Sequence, residues 1–207
     1  MAITFPLAFP VCRYSGSYQF GITPTVAVSS SPFSGEQQVY EWSAAPWQAS
    51  FEVIVRSPEH RAAMMSFIAS MRGRRGTVLL GPRHASRPRG TANTSGVTVG
   101  SGGGTTGGRT LPLAGLGAAA TLLAGDFLQI SSGANSRLHC IVENATADGS
   151  GNATVTIEAP LRADYASGVA VTLTSPKGVF RSTTNEFLTY MQMGGVLTAS
   201  FSFIEAL

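Results

Sequence analysis

The stretch WQASFEVIVRSPEHRAAMMSFIASMRGRRGTVLL, residues 47–80, decides the fold. In its first part Trp47, Ala49, Phe51, Val53 and Val55 fall on one face, and Gln48, Ser50 and Glu52 on the other. Successive strand side chains point to opposite faces, so a period of two marks a strand buried on one side. At Ser57 the period changes. Ser57 reads as an N-cap, Pro58 suits the first helical position, and Glu59 sits near the positive end of the dipole. Ala62, Met65, Phe67, Ile68 and Met71, with Met64 flanking, then make an apolar stripe at helical spacing. Gly73, after Arg72, closes a helix over residues 58–72. Thr77–Leu80 follows as a strand, stopped by Gly81-Pro82. Strand, helix and strand in this order predict a helix docked on a sheet.

Working outward, Val26–Ser30 and Gln38–Trp42 are weaker strand candidates around the turn-rich SSPFSG. Residues 83–109 are polar and glycine-rich, with SGGGTTGG at 101–108, and read as a flexible linker or a long hairpin loop. Short strands follow at 127–130, 137–142, 153–158 and 169–174, with turns at SSGANS and ADGSGN between them. That spacing predicts a small antiparallel β-barrel or sandwich module. Pro176-Lys177-Gly178 marks its exit, and Phe180 starts a new strand. The last two strands, 187–193 and 196–204, join at Gly194-Gly195, and Leu197, Ala199, Phe201 and Phe203 share a face. So apolar a hairpin needs a sheet, and the first module is its natural host. The expected chain is therefore mainly β: a β-sandwich domain with one α-helix, 1–88 plus 179–207, interrupted by an inserted β module at 89–178. No tandem repeat is visible.

Composition fits either a surface covered by partners or the Ser/Thr-rich exterior common on exposed β proteins. The hydrophobic share is 43% and the charged share only 12%, against roughly 25% charged in ordinary soluble domains. Gly, Ser, Thr and Ala replace the missing charge and leave little self-repulsion. The net charge of +3 is too small to announce nucleic-acid binding. Six arginines nonetheless crowd one stretch without an acidic residue: Arg72, Arg74, Arg75, Arg83, Arg87 and Arg89. Arginine forks suit carboxylates and phosphates. No aromatic interleaves them between Phe67 and Phe127, as nucleic-acid grooves would have. The expectation is a subunit or partner interface, set against the plainer reading of a solvated helix end and loop.

Chemistry is sparse. Cys12 and Cys140 lie far apart with no CxxC, and read as two buried free thiols or one long-range disulfide. His139 and Cys140 are strand neighbours and so face opposite ways; His60 and His84 stand alone. The eleven acidic residues are scattered singly. GSGGGTTGG lacks the GxxxxGK[ST] of a phosphate loop, and Asp148–Asn152 reads as a hairpin turn before a calcium loop. No catalytic, cofactor-binding or metal residues are assigned, and no enzyme activity or cofactor is expected. Pro6 and Pro10 break the N-terminal apolar run, which reads as no signal peptide. No run approaches the roughly 18 apolar residues of a membrane span, so no membrane binding by this chain alone is expected.

The blocks Tyr40-Glu-Trp-Ser43, Trp47–Val53, Ser57-Pro-Glu59 with the following helix, and Gly76–Gly81 resemble tail-tip proteins of long-tailed bacteriophages. Leu123–Ile130, Arg137-Leu-His139, Asp148–Thr154, Ile157–Arg162 and Pro176–Arg181 resemble recurrent phage structural sequences. Together these loose patterns cover most of residues 36–181. The best match is the distal tail protein of siphophages. That resemblance implies a tail-tube-like β-sandwich forming a ring, typically a homohexamer, at the baseplate end of the tail. The ring would join tail-tube protein to tail-tip hub proteins and leave a channel for tape measure protein and DNA. Such a chain is made in the host cytoplasm and ends in the virion. The channel of such rings is usually not basic, so residues 72–89 are expected to meet other tail proteins. Alternatives are a tail-tube or other minor tail protein and, from another class, a carbohydrate-binding attachment module. Sugar platforms use exposed aromatics, and residues 89–178 contain only Phe127 and Tyr165.

Overall fold

The computed structural model describes residues 3–42, 45–192 and 195–207, and the side chains of 14–17 and 192 lie outside the description. Ser43 of the Tyr40–Ser43 block, and Met193 and Gly194 at the expected final turn, are among the residues not described. The chain is mainly β, with 41% of residues in strands and 10% helical. Strands β1 (Leu7–Ala8), β2 (Arg13–Ile22), β3 (Val26–Ser30), β4 (Gln37–Glu41) and β5 (Trp47–Val55) precede helix α1 (Pro58–Met71). Then come β6 (Thr77–Leu80), β7 (Thr98–Val99), β8 (Thr110–Ala114), β9 (Thr121–Leu122) and β10 (Phe127–Ile130). β11 (Arg137–Ile141), β12 (Ala145–Thr146), β13 (Ala153–Glu158) and β14 (Val171–Thr172) follow. The chain closes with β15 (Gly178–Ser182), β16 (Thr189–Gln192) and β17 (Val196–Glu205).

The two apolar faces at the ends of the chain meet in one sheet. Its order is β1-β6-β15-β17-β5-β2, with β16 also on β17. In the antiparallel β5–β17 pair Val53 stands opposite Ala199, Phe51 opposite Phe201, and Ala49 opposite Phe203. All six are buried. Helix α1 covers part of this face through Met64, Phe67 and Met71, which lie at i, i+3 and i+7. The stripe is narrower than the sequence suggests: Ala62 and Met65 are exposed. Met65 sits about 100° round the helix from Met64, which carries it off the sheet. Ser57 is the N-cap in extended conformation, but its side chain makes no capping bond. Its carbonyl accepts the Arg61 N–H at 3.0 Å. The helix ends one residue early, because Arg72 itself turns left-handed with φ 50°.

The second sheet, β14-β10-β11-β13-β8-β7, is antiparallel throughout. Its two edges are joined by a Thr98–Ala170 bridge. The Val99 N–H also donates to Val169 O at 2.8 Å, and the Val171 N–H to Val97 O at 2.9 Å. A nearly closed small barrel results, filled by Leu111, Leu113, Leu128, Ile130, Val155 and Ile157. The glycine-rich run 101–108 is the loop of the β7–β8 hairpin and not a flexible linker. The Gly104 N–H donates to Tyr165 O, and the Gly107 N–H to Leu161 O, both at 2.8 Å. Glycine is needed there for shape: at Gly103, φ is +67°, and a Cβ would stand 2.4 Å from Tyr165 O. The strand expected over 169–174 shortens to Val171–Thr172.

The β10–β11 pair is a wall shared by two cores. Phe127 and Leu138 pack with the core under the seven-stranded sheet. Leu128, Ile130 and Ile141 fill the barrel. The Trp47 indole N–H reaches across to donate to Leu138 O at 2.9 Å. The chain leaves the first sheet and returns to it at one place: a Cβ on Gly81 would fall 2.0 Å from Pro176 O. Nearby, the Ser175 N–H donates to Ser86 O at 2.7 Å.

Candidate interaction surfaces

Strands β3 and β4 form a separate two-stranded ribbon, joined to no other strand among the described residues. Val28 pairs with Val39, and Ala27 with Tyr40. Opposed residues share a face, so Val26, Val28 and Val39 line one side and Ala27 and Tyr40 the other. All ten strand residues are exposed. Trp42 continues the second side, its ring 4.8 Å from that of Tyr40 and tilted by 73°. At the tip Phe33 is 99% exposed. The turn is closed by the Ser31 N–H donating to Glu36 O at 2.9 Å, and by Ser31 Oγ accepting from Phe33 N and Ser34 N, each at 3.3 Å. The root is tied down by Glu41, which pairs with Arg109 on the barrel. An isolated hairpin is marginally stable in water, and this one leaves a row of apolar side chains uncovered.

A groove of about 460 Å³ lies where β2 begins and β5 ends. Its apolar lining comes from Val11, Ile54 and Val55 beside Cys12, and its charge from Arg13 and Arg56. Further exposed apolar side chains gather at β16: Tyr190 and Met191 on its opposite faces, and Leu188 just before it. β16 and β2 are both edge strands among the described residues, and so present backbone donors and acceptors to a neighbouring chain.

The six arginines do not form one patch. Arg72, Arg74 and Arg75 are exposed together at the C-terminal end of α1. There the carbonyls of Arg74 and Arg75 accept from Arg181 Nη1 at 2.6 and 3.2 Å. Arg83, Arg87 and Arg89 follow the other end of β6, a strand spanning about 13 Å. The Arg89 side chain closes onto Asp126, with Nε 3.1 Å from the buried carboxylate. Arg89 thus helps fasten the start of the barrel, while Arg72, Arg74, Arg75, Arg83 and Arg87 remain at the surface.

Between the two cores lies a buried polar cluster that the sequence did not advertise. Glu205 Oε2 accepts from Arg162 Nη2 at 3.0 Å and from the Trp47 backbone N–H at 3.2 Å. Arg162 also donates to Ala45 O at 2.6 Å. Burial pushes the Glu205 carboxyl above its usual range, and the Arg162 charge opposes the shift. His139 is fully buried, and its Nδ1 donates to Ala159 O at 2.7 Å, which places the proton on that nitrogen. Burial lowers its pKa to about 4; the Ala159 hydrogen bond opposes this, and the Arg162 and Arg137 charges add to it. Such an imidazole is neutral and structural at neutral pH. Cys12 and Cys140 are half-buried and in no disulfide. Burial, and then the Asp126 charge, raise the Cys140 thiol, which disfavours the reactive thiolate. Asp148 accepts from the Ser150 and Asn152 backbone N–H groups at 2.8 and 2.9 Å, as an acceptor inside its own turn.

Among the described residues no group of three His, Cys, Asp or Glu side chains is placed to hold a metal ion. Among them, too, no helix is long and apolar enough to cross a membrane. No protein-family model matches the chain, and no curated protein matches it.

Proposed function

We propose that this chain is a structural subunit of a phage tail. It forms a ring at the distal end that joins the tail tube to the tip and leaves a channel for tape measure protein and DNA. The observation that carries this reading is the β3–β4 hairpin: ten strand residues, all exposed, bearing Val26, Val28, Val39 and Tyr40, with Phe33 at the tip. Apolar surface of this kind on a projecting arm marks a protein contact. The two edge strands supply backbone groups for the same purpose. The sequence resemblance supplies the address: the distal tail protein, with tail-tube and tip-hub proteins as neighbours.

A tail-tube or other minor tail subunit would use the same surfaces. Glycan attachment is a second reading, favoured by the exposed Tyr40 and Trp42 rings. Those rings stand at 73° to one another and so form no flat platform for a sugar face. Light scattering and negative-stain imaging of the purified chain, alone and with tail-tube protein, separate these readings. Rings or stacks are expected. A strictly monomeric protein that binds a defined glycan would overturn the proposal.

A further inference from the structure

The root of the hairpin and the groove lie at opposite ends of one ladder. In the β2–β5 pair Ile22 stands opposite Trp47 at one end, and Arg13 opposite Ile54 at the other. The β3–β4 hairpin springs from the Ile22–Trp47 end, because its strands occupy the segment between those two residues. The groove sits at the Arg13–Ile54 end. The seven residue steps from Trp47 to Ile54 amount to about 23 Å, and the hairpin's strand residues are all exposed, with Glu41 at its root held by Arg109. In the folded chain the knob stands outside its own socket, with Phe33 99% and Val11 79% exposed, so both are open to a second copy.

The two surfaces also match in chemistry. From Ile22 to Val55 the chain has no lysine or arginine, and its acids on the arm are Glu36 and Glu41. Glu41 is paired with Arg109. Glu36, three residues from Phe33, has no ion pair among the described residues. The groove offers apolar walls at Val11, Ile54 and Val55, with Arg13 and Arg56 beside them and no carboxylate in its lining. Neither arginine has an ion-pair partner among the described residues.

We propose that the hairpin tip of one copy docks in this groove of the next. Phe33 meets Val11, Ile54 and Val55, and Glu36 meets Arg13 and Arg56. The occupant is thus a second copy of this chain, and the inference rests on the reading that the chain assembles with itself. Knob and socket are different patches, so the contact is head-to-tail: it closes into a ring where the rotation per step permits, and otherwise runs on as a filament. Burying one exposed aromatic in an apolar groove is a contact of the kind that dominates interface energetics.

Cys12 in the groove allows a direct test on the full chain. Ser34→Cys places a thiol beside Phe33, and Cys140→Ser leaves Cys12 as the only other thiol. On oxidation by copper phenanthroline the two thiols give up two protons and two electrons as the S–S bond forms. A ladder extending beyond dimers is expected on a non-reducing gel, and further substitution of Cys12→Ser should abolish it. Without any added thiol, Phe33→Asp is expected to weaken self-association by on the order of tenfold or more. Glu36→Arg should weaken it too, and Arg13→Glu with Arg56→Glu should restore it. Oligomers that neither cross-link nor respond to Phe33→Asp overturn this contact and leave the ring reading standing. A chain that stays monomeric at high concentration, with and without oxidant, overturns both.

Discussion

At the scale of single residues, the informative positions are His139, Arg162 and Glu205, polar groups shut between two apolar cores. His139 is held neutral, its pKa lowered from 6.5 to about 4 mainly by burial. The unfolded chain therefore binds the extra proton first as pH falls, and stability drops between pH 6.5 and pH 4. A shift of that size corresponds to roughly 3 kcal/mol. Glu205 works in the opposite sense, since its raised pKa makes the folded state bind a proton more readily above pH 4.5. Comparing the chain with a His139→Gln variant cancels the Glu205 contribution. The difference in unfolding free energy, from urea titrations across pH 4–7, should shrink on acidification by roughly 3 kcal/mol; a flat difference would show that His139 is not buried neutral. Arg162→Met strands the Glu205 carboxylate and is expected to cost about 3 kcal/mol at pH 7. The cost should fall at pH 4, where Glu205 takes a proton, and in the double variant with Glu205→Gln. Equal costs at both pH values would contradict the ion-pair account. None of this was legible in the sequence, because Arg162 and Glu205 stand 43 residues apart and meet only through the fold.

At the scale of elements, legibility followed periodicity. Residues 47–55 and 196–205 announced themselves, because alternation of apolar and polar residues needs no context. The helix was legible in extent but not in face: three adjacent apolar rows left the choice of buried row to the sheet, and the sheet took Met64, Phe67 and Met71. Strands of two residues such as β7, β9 and β12 carry no period at all. Nor does β2 advertise itself, for its Arg13–Ile22 run mixes Gly and Ser among aromatics. The six arginines looked like one patch because they are close in sequence, yet an extended β6 runs through the middle of them. The barrel's core is drawn entirely from residues 92–173, whereas the core of the first sheet borrows Phe127 and Leu138 from the barrel wall. Excision is therefore expected to be asymmetric. A fragment of residues 89–178 should fold cooperatively, with dispersed amide resonances. The remainder, joined across the gap, should melt at lower temperature than the whole chain, since Trp47 loses its covering and its bond to Leu138 O. A remainder as stable as the whole chain would show that the shared wall contributes nothing.

At the scale of the whole molecule, the structure is a sheet with a helix on it, joined through a shared wall to a nearly closed barrel. The exposed arm and the open edges of β2 and β16 lie outside the two cores, and the groove at the far end of the same ladder opens beside Val55 of the first core. The arm was the least legible part of the site. Its strands were visible as candidates, but their lack of any covering sheet among the described residues is a tertiary fact, and that lack is what leaves Val28, Phe33 and Tyr40 exposed. We propose that this arm serves a ring at the distal end of a phage tail. The most direct test is electron cryomicroscopy of intact particles whose copy of this chain carries a compact C-terminal fusion. Extra density is predicted as a single ring where tube meets tip; density along the whole tube, on the head, or nowhere on the particle would contradict the account.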